Sequence, residues 1–344
     1  MTVVDVHAHL VHPDTVRRFP VPPVLGDVAG LVEAKAAAGI DLTIVGSPNG
    51  AGTMVPVPGG GNYHQPLDRL CAFHDWLGQV VADHRDRLRA YVYCDPFGDA
   101  RMLEAAAQYL ATEEFVGIIT NPTLRGEYLD SPRADDFFAL VAELGVPVMI
   151  HSGAEPACCA GIGDYGLVEM VGRYCDVTLG LAAIVLSGRL EQHPDIPIIG
   201  TASGGALNLL AGRLDLAWRP RHWGPAATGG EDGRPGQLDR APHRSRTKAP
   251  PSELVRRLYV DTSLDGRHAH LVNLEVFGPD RMLFGTDWPP VPVDHAAKIR
   301  MVEELPVADA ERQAILGGTA LRLFGLEEPG GPAVLAAQAE GSQP

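Results

Sequence analysis

The sequence predicts an α/β chain folded as a single (β/α)₈ TIM barrel. Three observations lead there. Eight short apolar runs alternate with longer helical patterns. Each run ends in polar, glycine or proline residues, as buried parallel strands do. The chain has 344 residues, more than an average domain but suited to one barrel with insertions.

The strand candidates are "VVDVHAHL" (3–10), "DLTIVGS" (41–47), "LRAYVYCDP" (88–96) and "FVGIITNP" (115–122). They continue with "PVMIHSG" (147–153), "IPIIGTASGG" (196–205), "LYVDTSL" (258–264) and "MLFGTDWP" (282–289). Helix candidates lie between them. "LVEAKAAAG" ends on Gly39, a glycine placed to stop a helix. "RADDFFALVAELG" puts Phe137, Leu140, Val141 and Leu144 on one face and stops at Gly145. "TLGLAAIVLSGRLEQHP" is apolar enough for a helix buried against the sheet. An open doubly wound sheet is the alternative, but no G-x-G-x-x-G follows a strand in the right frame. "PVPGGGN" (56–62) has the glycines without a helix start behind it, which points to a lid segment.

Domain boundaries follow from the same pattern. Residues 1–326 form the barrel and residues 327–344 a frayed tail. Two long loops interrupt the alternation, at 48–65 and 219–250, and long loops in compact domains are lids or disordered. The second is locally basic, with seven Arg or Lys against three acids.

Composition excludes some functions. The net charge of −15 argues against a general nucleic-acid binder, which needs a basic stripe to meet phosphate. Hydrophobic residues at 45% support a large core. Five cysteines (Cys71, Cys94, Cys158, Cys159, Cys175) show no C-x-x-C spacing and read as reduced thiols. No membrane span and no signal segment are evident, so the cytoplasm is the expected compartment.

The candidate chemistry sits at strand ends. In "DVHAHL", residues two apart on a strand share a face, so His7 and His9 project together. His151 ends the fifth run and Asp287 the eighth, which neighbours the first in a closed barrel. Singly, each has a bland reading: backbone-satisfied histidines, or an aspartate closing a turn. Together, three imidazoles and one carboxylate at the same barrel end suffice for one divalent metal with an open position. Asp261, ending strand seven, is placed to hydrogen-bond a ligand histidine from behind. Arg125 could hold a substrate carboxylate bidentately or make a surface salt bridge. His12 and Trp288 are pocket-lining candidates. His268 and His270 repeat the H-x-H string, but at a helix start, on different faces, where solvated side chains are expected.

The chain resembles the amidohydrolase superfamily, in the branch of aminocarboxymuconate-semialdehyde decarboxylase. The resemblance runs from about Thr2 to Leu326. It rests on "DVHAHL", "LGVPVMIHSG", "RYCDVTLGLAAIVLSGRLEQHPDIPIIG", "SGGAL...GRLD", "YVDTS", "GPDRMLFGTDWPP" and "ILGGTALRLFGL". It implies a metal-dependent hydrolase type of barrel, with Zn2+, or sometimes Mn2+, on His7, His9, His151 and Asp287. Strand four offers neither the lysine nor the glutamate of two-metal relatives, so one ion is expected. The expected reaction is non-oxidative decarboxylation of a small unsaturated or aromatic acid, with hydrolysis of an ester, lactone, amide or C–C bond as the alternative. The expected partners are that acid and a second copy of the chain in a dimer, with no nucleic acid or membrane.

One position departs from the resemblance. The family pattern His-x-Gly-Gly-Ala, laid on "ASGGAL", puts its histidine on Ala202. Alanine neither activates water nor moves a proton, and a general acid or base contributes about 10²–10⁴-fold. One reading has Asp287 serve both metal and proton. Alternatively His64, His222 or His243 reaches in from a loop, or Ser203 positions a water. A deliberate substitution and a non-catalytic relative are the remaining readings.

Overall fold

The computed structural model describes residues 1–54, 65–124, 126–157, 165–218 and 245–326. Eight parallel strands lie side by side in sequence order. They are β1 (Val4–His9), β2 (Leu42–Gly46), β3 (Leu88–Tyr93), β4 (Phe115–Thr120), β5 (Val148–Ile150), β6 (Ile198–Gly200), β7 (Tyr259–Asp261) and β8 (Met282–Leu283). The sheet closes past β8. Val6 N–H donates to Phe284 O at 2.9 Å, Asp287 N–H to His7 O at 2.8 Å and His9 N–H to Trp288 O at 2.9 Å. Closure pairs the outer strands of this sheet among the described residues and brings the end of the last strand beside the first.

Helices follow each strand: α1 (Val28–Ala37), α2 (Leu67–Asp83), α3 (Ala100–Leu110), α4 (Asp135–Leu144), α5 (Arg173–Leu186), α6 (Leu207–Trp218), α7 (Arg267–Val276) and α8 (His295–Glu303). Gly39 and Gly145 adopt φ of +77° and +64° where α1 and α4 end, a conformation that glycine takes without a Cβ clash. The buried stripe of α4 is Ala134, Phe137, Phe138 and Val141, while Leu144 is exposed. Leu144 was expected inside; the apolar face is rotated toward Phe138, whose ring packs on Phe137. Leu179 of α5 is exposed too, so that helix is buried on one side only.

Two apolar layers result. One fills the barrel, from Val4, Val6, Ile44, Tyr91, Ile119, Met149, Ile199 and Leu283, with Phe324 packed against it. The other lies between strands and helices. A register shift between Asp5 and Ala8 marks a bulge in β1. It lets Val6 and His7 both turn inward, Val6 into the core and His7 toward the strand ends, as bulges near functional sites do.

Several expected strands are shorter than their apolar runs. The sixth stops at Gly200, because Ala202, Ser203, Gly204 and Gly205 all take positive φ (51°, 58°, 76°, 63°). The start of the first long loop is buried and bonded: Gln65 Nε2 donates to Asn49 O, and Asn49 Nδ2 to Thr53 O at 2.6 Å. Residues 55–64, 219–244 and 327–344 lie outside the described residues, with most of both expected lids and the tail. Cys71 and Cys94 are free thiols; Cys158 and Cys159 lie outside the described residues. Among the described residues no helix is long and apolar enough to cross a membrane.

Candidate metal centre

Four side chains converge at the C-terminal ends of β1, β5 and β8. His7 and His9 are buried on β1, His151 directly follows β5, and Asp287 lies four residues beyond Leu283, the end of β8. The three rings meet at centroid distances of 4.9, 5.0 and 4.9 Å and are mutually perpendicular, with interplanar angles of 88–89°. Each ring is oriented from behind. His7 Nδ1 donates to Asp261 Oδ2 at 2.5 Å, His9 Nδ1 to Gly46 O at 3.2 Å and His151 Nδ1 to Ser152 O at 2.8 Å. Acceptor-only partners fix the proton on Nδ1 and leave each Nε2 facing the centre.

His7 Nε2 lies 3.1 Å from His9 Nε2. Asp287 Oδ1 lies 2.8, 3.3 and 3.9 Å from the Nε2 atoms of His9, His7 and His151. One ligand atom from each residue falls within 4.8 Å of all the others. Donors bonded at about 2.0–2.1 Å to one tetrahedral ion stand about 3.3 Å apart, so the set fits a divalent metal. Bare imidazole nitrogens facing one another repel unless a cation or a proton lies between them. Among the described residues this is the sole such cluster. Directly after β4, Asn121 fastens the walls, donating from Nδ2 to Pro48 O and His151 O.

The electrostatics suit metal capture. Burial would lower the His7 imidazole, but the Asp287 charge and the Asp261 hydrogen bond outweigh it and raise its pKa. Burial brings His151 down to about 4, with the neighbouring imidazoles helping, so it is neutral at pH 7. Burial would raise Asp287, yet the His7 charge and the hydrogen bonds of His151 and His9 hold it well below the usual carboxylate range. A proton on an imidazole nitrogen that faces the centre competes with an incoming cation, so affinity falls as pH drops.

Asp261, expected behind a ligand, stands there. His7, Ser203 N–H and Ser263 Oγ hold its carboxylate ionised against its burial. Ser203 is fully buried; its N–H bonds Asp261 Oδ1 at 2.9 Å and its hydroxyl donates to Asp261 O. That hydroxyl is committed to the strand and does not open toward substrate. His12 accepts the Asp14 N–H at 3.1 Å as the cap of a short helix and meets Trp76 edge-on. Trp288 packs on His295 at 5.4 Å and continues the closure with Ala8. Of the H-x-H repeat on α7, His268 is exposed as expected. His270 is not: it is fully buried, and burial and the Lys298 charge bring it to about 4. Arg125, His64, His222 and His243 lie outside the described residues.

Sequence reading missed three groups. Asp5 and Lys35 form a buried ion pair beneath the cluster. Their separation of 30 residues hid it; the only signal was the acid two places before His7. Tyr174 on α5 is half-buried, its phenol raised by burial and by the charges of Asp287, Asp261 and Asp265. It lies in the segment "RYCDVTLGLAAIVLSGRLEQHPDIPIIG", where no ligand spacing singles it out.

A family model described as amidohydrolase matches residues 4–326. Gamma-resorcylate decarboxylase of Polaromonas sp. (strain JS666) is 27% identical over 270 residues, 74% of this chain and 75% of that protein. The crystal structure of 5-carboxyvanillate decarboxylase from Sphingomonas paucimobilis superposes with a TM-score of 0.72 at 20% identity, covering 95% of this chain and 99% of that one. That of dihydroxybenzoic acid decarboxylase from Polaromonas sp. JS666, with bound manganese and 2-nitroresorcinol, gives 0.71 at 18%, covering 94% and 97%. With the family match spanning nearly the whole barrel, the chain belongs to the amidohydrolase family.

Proposed function

We propose that the chain is a metal-dependent, non-oxidative decarboxylase of a small aromatic carboxylic acid bearing an adjacent hydroxyl. One observation carries this reading: a convergent three-imidazole, one-carboxylate donor set stands beside a turn that places alanine, not histidine, at 202. Hydrolysis needs a base to deprotonate water. Decarboxylation needs a proton delivered to carbon, and the named relatives act on aromatic acids.

His7, His9, His151 and Asp287 are the proposed ligands of one ion, Zn2+ by donor chemistry, with Mn2+ the alternative. The ion supplies Lewis acidity that stabilises negative charge developing in the substrate. Asp287 is the proposed proton carrier. Its Oδ1 takes the imidazole contacts, and its side chain is 28% exposed, so the carboxylate has an open side. The carbon that releases CO2 takes up one proton, and Asp287 passes it from solvent. Arg125, His12 and Trp288 are the proposed substrate contacts. Asp261 holds His7 in its tautomer, and Ser203 holds Asp261. The unit is one barrel over residues 1–326, assembled as a dimer.

The test uses metal-free protein restored with Zn2+ or Mn2+ and offered 2,6-dihydroxybenzoate and related hydroxybenzoates. CO2 and the matching phenol are expected in equal amounts, and neither in chelator. Proton release from esters or lactones without CO2 would establish hydrolysis instead. Bound metal with neither activity would make the barrel a binding protein.

A further inference from the structure

Asp5 is fully buried on β1, two residues before His7, and its carboxylate accepts four hydrogen bonds. Oδ1 receives His7 N–H at 3.0 Å and Thr286 N–H at 3.1 Å. Oδ2 receives Thr286 Oγ1 at 2.7 Å and Lys35 Nζ at 2.5 Å. Lys35 Nζ also donates to Thr286 Oγ1 at 2.7 Å. One carboxylate thus joins β1, the segment after β8 and helix α1. The bulge in β1 makes this possible, because it turns His7 inward while Asp5 faces the helix layer.

Asp287 has φ of +58°, a left-handed conformation that costs a non-glycine residue about 1–3 kcal/mol and persists only when its surroundings impose it. Its neighbours on both sides are held by the same ammonium. Lys35 bonds Thr286, and it sits 5.4 Å from the centroid of the Trp288 ring. Lys35 is itself only 3% exposed, far inside for an amine without a structural or chemical task.

We propose that Lys35 is a positioning residue for the metal centre. Acting through Asp5, Thr286 and Trp288, it fixes His7 and the left-handed Asp287 where they converge. This rests on the metal reading above. A lysine that merely neutralised Asp5 would be replaceable by removing both charges. A lysine that sets ligand geometry would not be, because its hydrogen bond to Thr286 and its cation–π contact with Trp288 do not depend on Asp5.

The experiment measures the Mn2+ dissociation constant, by free-Mn2+ electron paramagnetic resonance, and the melting temperature, on the full chain. Lys35→Met is expected to weaken Mn2+ binding about 10–100-fold, the range for partners that orient ligands, and to lower the melting temperature. Should that variant fail to fold, Asp5→Asn/Lys35→Met and Thr286→Val carry the test. The double variant leaves no unpaired buried charge and is expected to recover melting temperature while Mn2+ stays at least about tenfold weaker. Thr286→Val keeps the Asp5–Lys35 pair and is expected to weaken Mn2+ similarly. Wild-type affinity in the double variant would show the pair to be structural only and would overturn the proposal. A wild-type chain that binds no Mn2+ or Zn2+ would instead overturn the metal reading and this role with it.

Discussion

Asp176, on α5, is fully buried, and Oδ2 has no partner among the described residues. Tyr128 and the Ala157 N–H both donate to Oδ1, at 3.2 Å. Burial outweighs those two bonds and pushes its pKa from 3.8 to about 6. The folded protein therefore holds this proton more tightly than the unfolded chain. Its contribution to stability is neutral below pH 3.8, turns progressively against folding between pH 3.8 and about 6, and levels off above that at about 3 kcal/mol. Asp176→Asn is expected to raise the melting temperature at pH 7–8 and to change it little at pH 4. Equal effects at both pH values in thermal melts would reject this. Residue identities at the site were legible because ligand chemistry restricts them: His7, His9, His151, Asp287 and Asp261 are the residue types a metal and its support require. Lys35 was not, because a lysine in "LVEAKAAAG" looks like any solvent-facing helix residue until its partner is placed.

The turn after β6 is the element where pattern and structure part. An apolar run followed by "TASGG" reads as a strand, yet four consecutive positive φ values end it. Side-chain periodicity carries no trace of backbone handedness, so only the glycines hinted at the turn. Gly205 is required there. It has φ +63° and ψ −128°, and a Cβ would lie 2.5 Å from Tyr174 O and press on Thr178 Oγ1. That contact seats the turn on α5, where Thr178 Oγ1 accepts the Ala206 N–H at 2.8 Å. Gly205→Ala is expected to destabilise the protein by about 2–4 kcal/mol in denaturant unfolding. A loss under about 0.5 kcal/mol would mean that the turn yields freely. Barrel strands were recovered in number and order, because apolar runs record burial. Their ends were overextended, because residues such as Thr201 and Thr286 remain buried past the ends of β6 and β8.

At the scale of the whole molecule, barrel closure turns distant sequence into a site. His7 and Asp287 are 280 positions apart, yet Asp287 N–H bonds His7 O at 2.8 Å because β8 returns beside β1. Fold class and metal set follow jointly from this: strand ends carry the ligands, and closure brings the first and last together. Substrate choice was not legible, since the strand-end pattern that marks the metal donors carries no signal for the shape of the acid. The most direct measurement titrates metal-free protein with Mn2+ and follows CO2 release from a hydroxybenzoate substrate against ions bound per chain. Activity is expected to rise linearly from zero and to saturate at one ion per chain. Saturation at two ions, or CO2 release without metal, would contradict a single ion at His7, His9, His151 and Asp287.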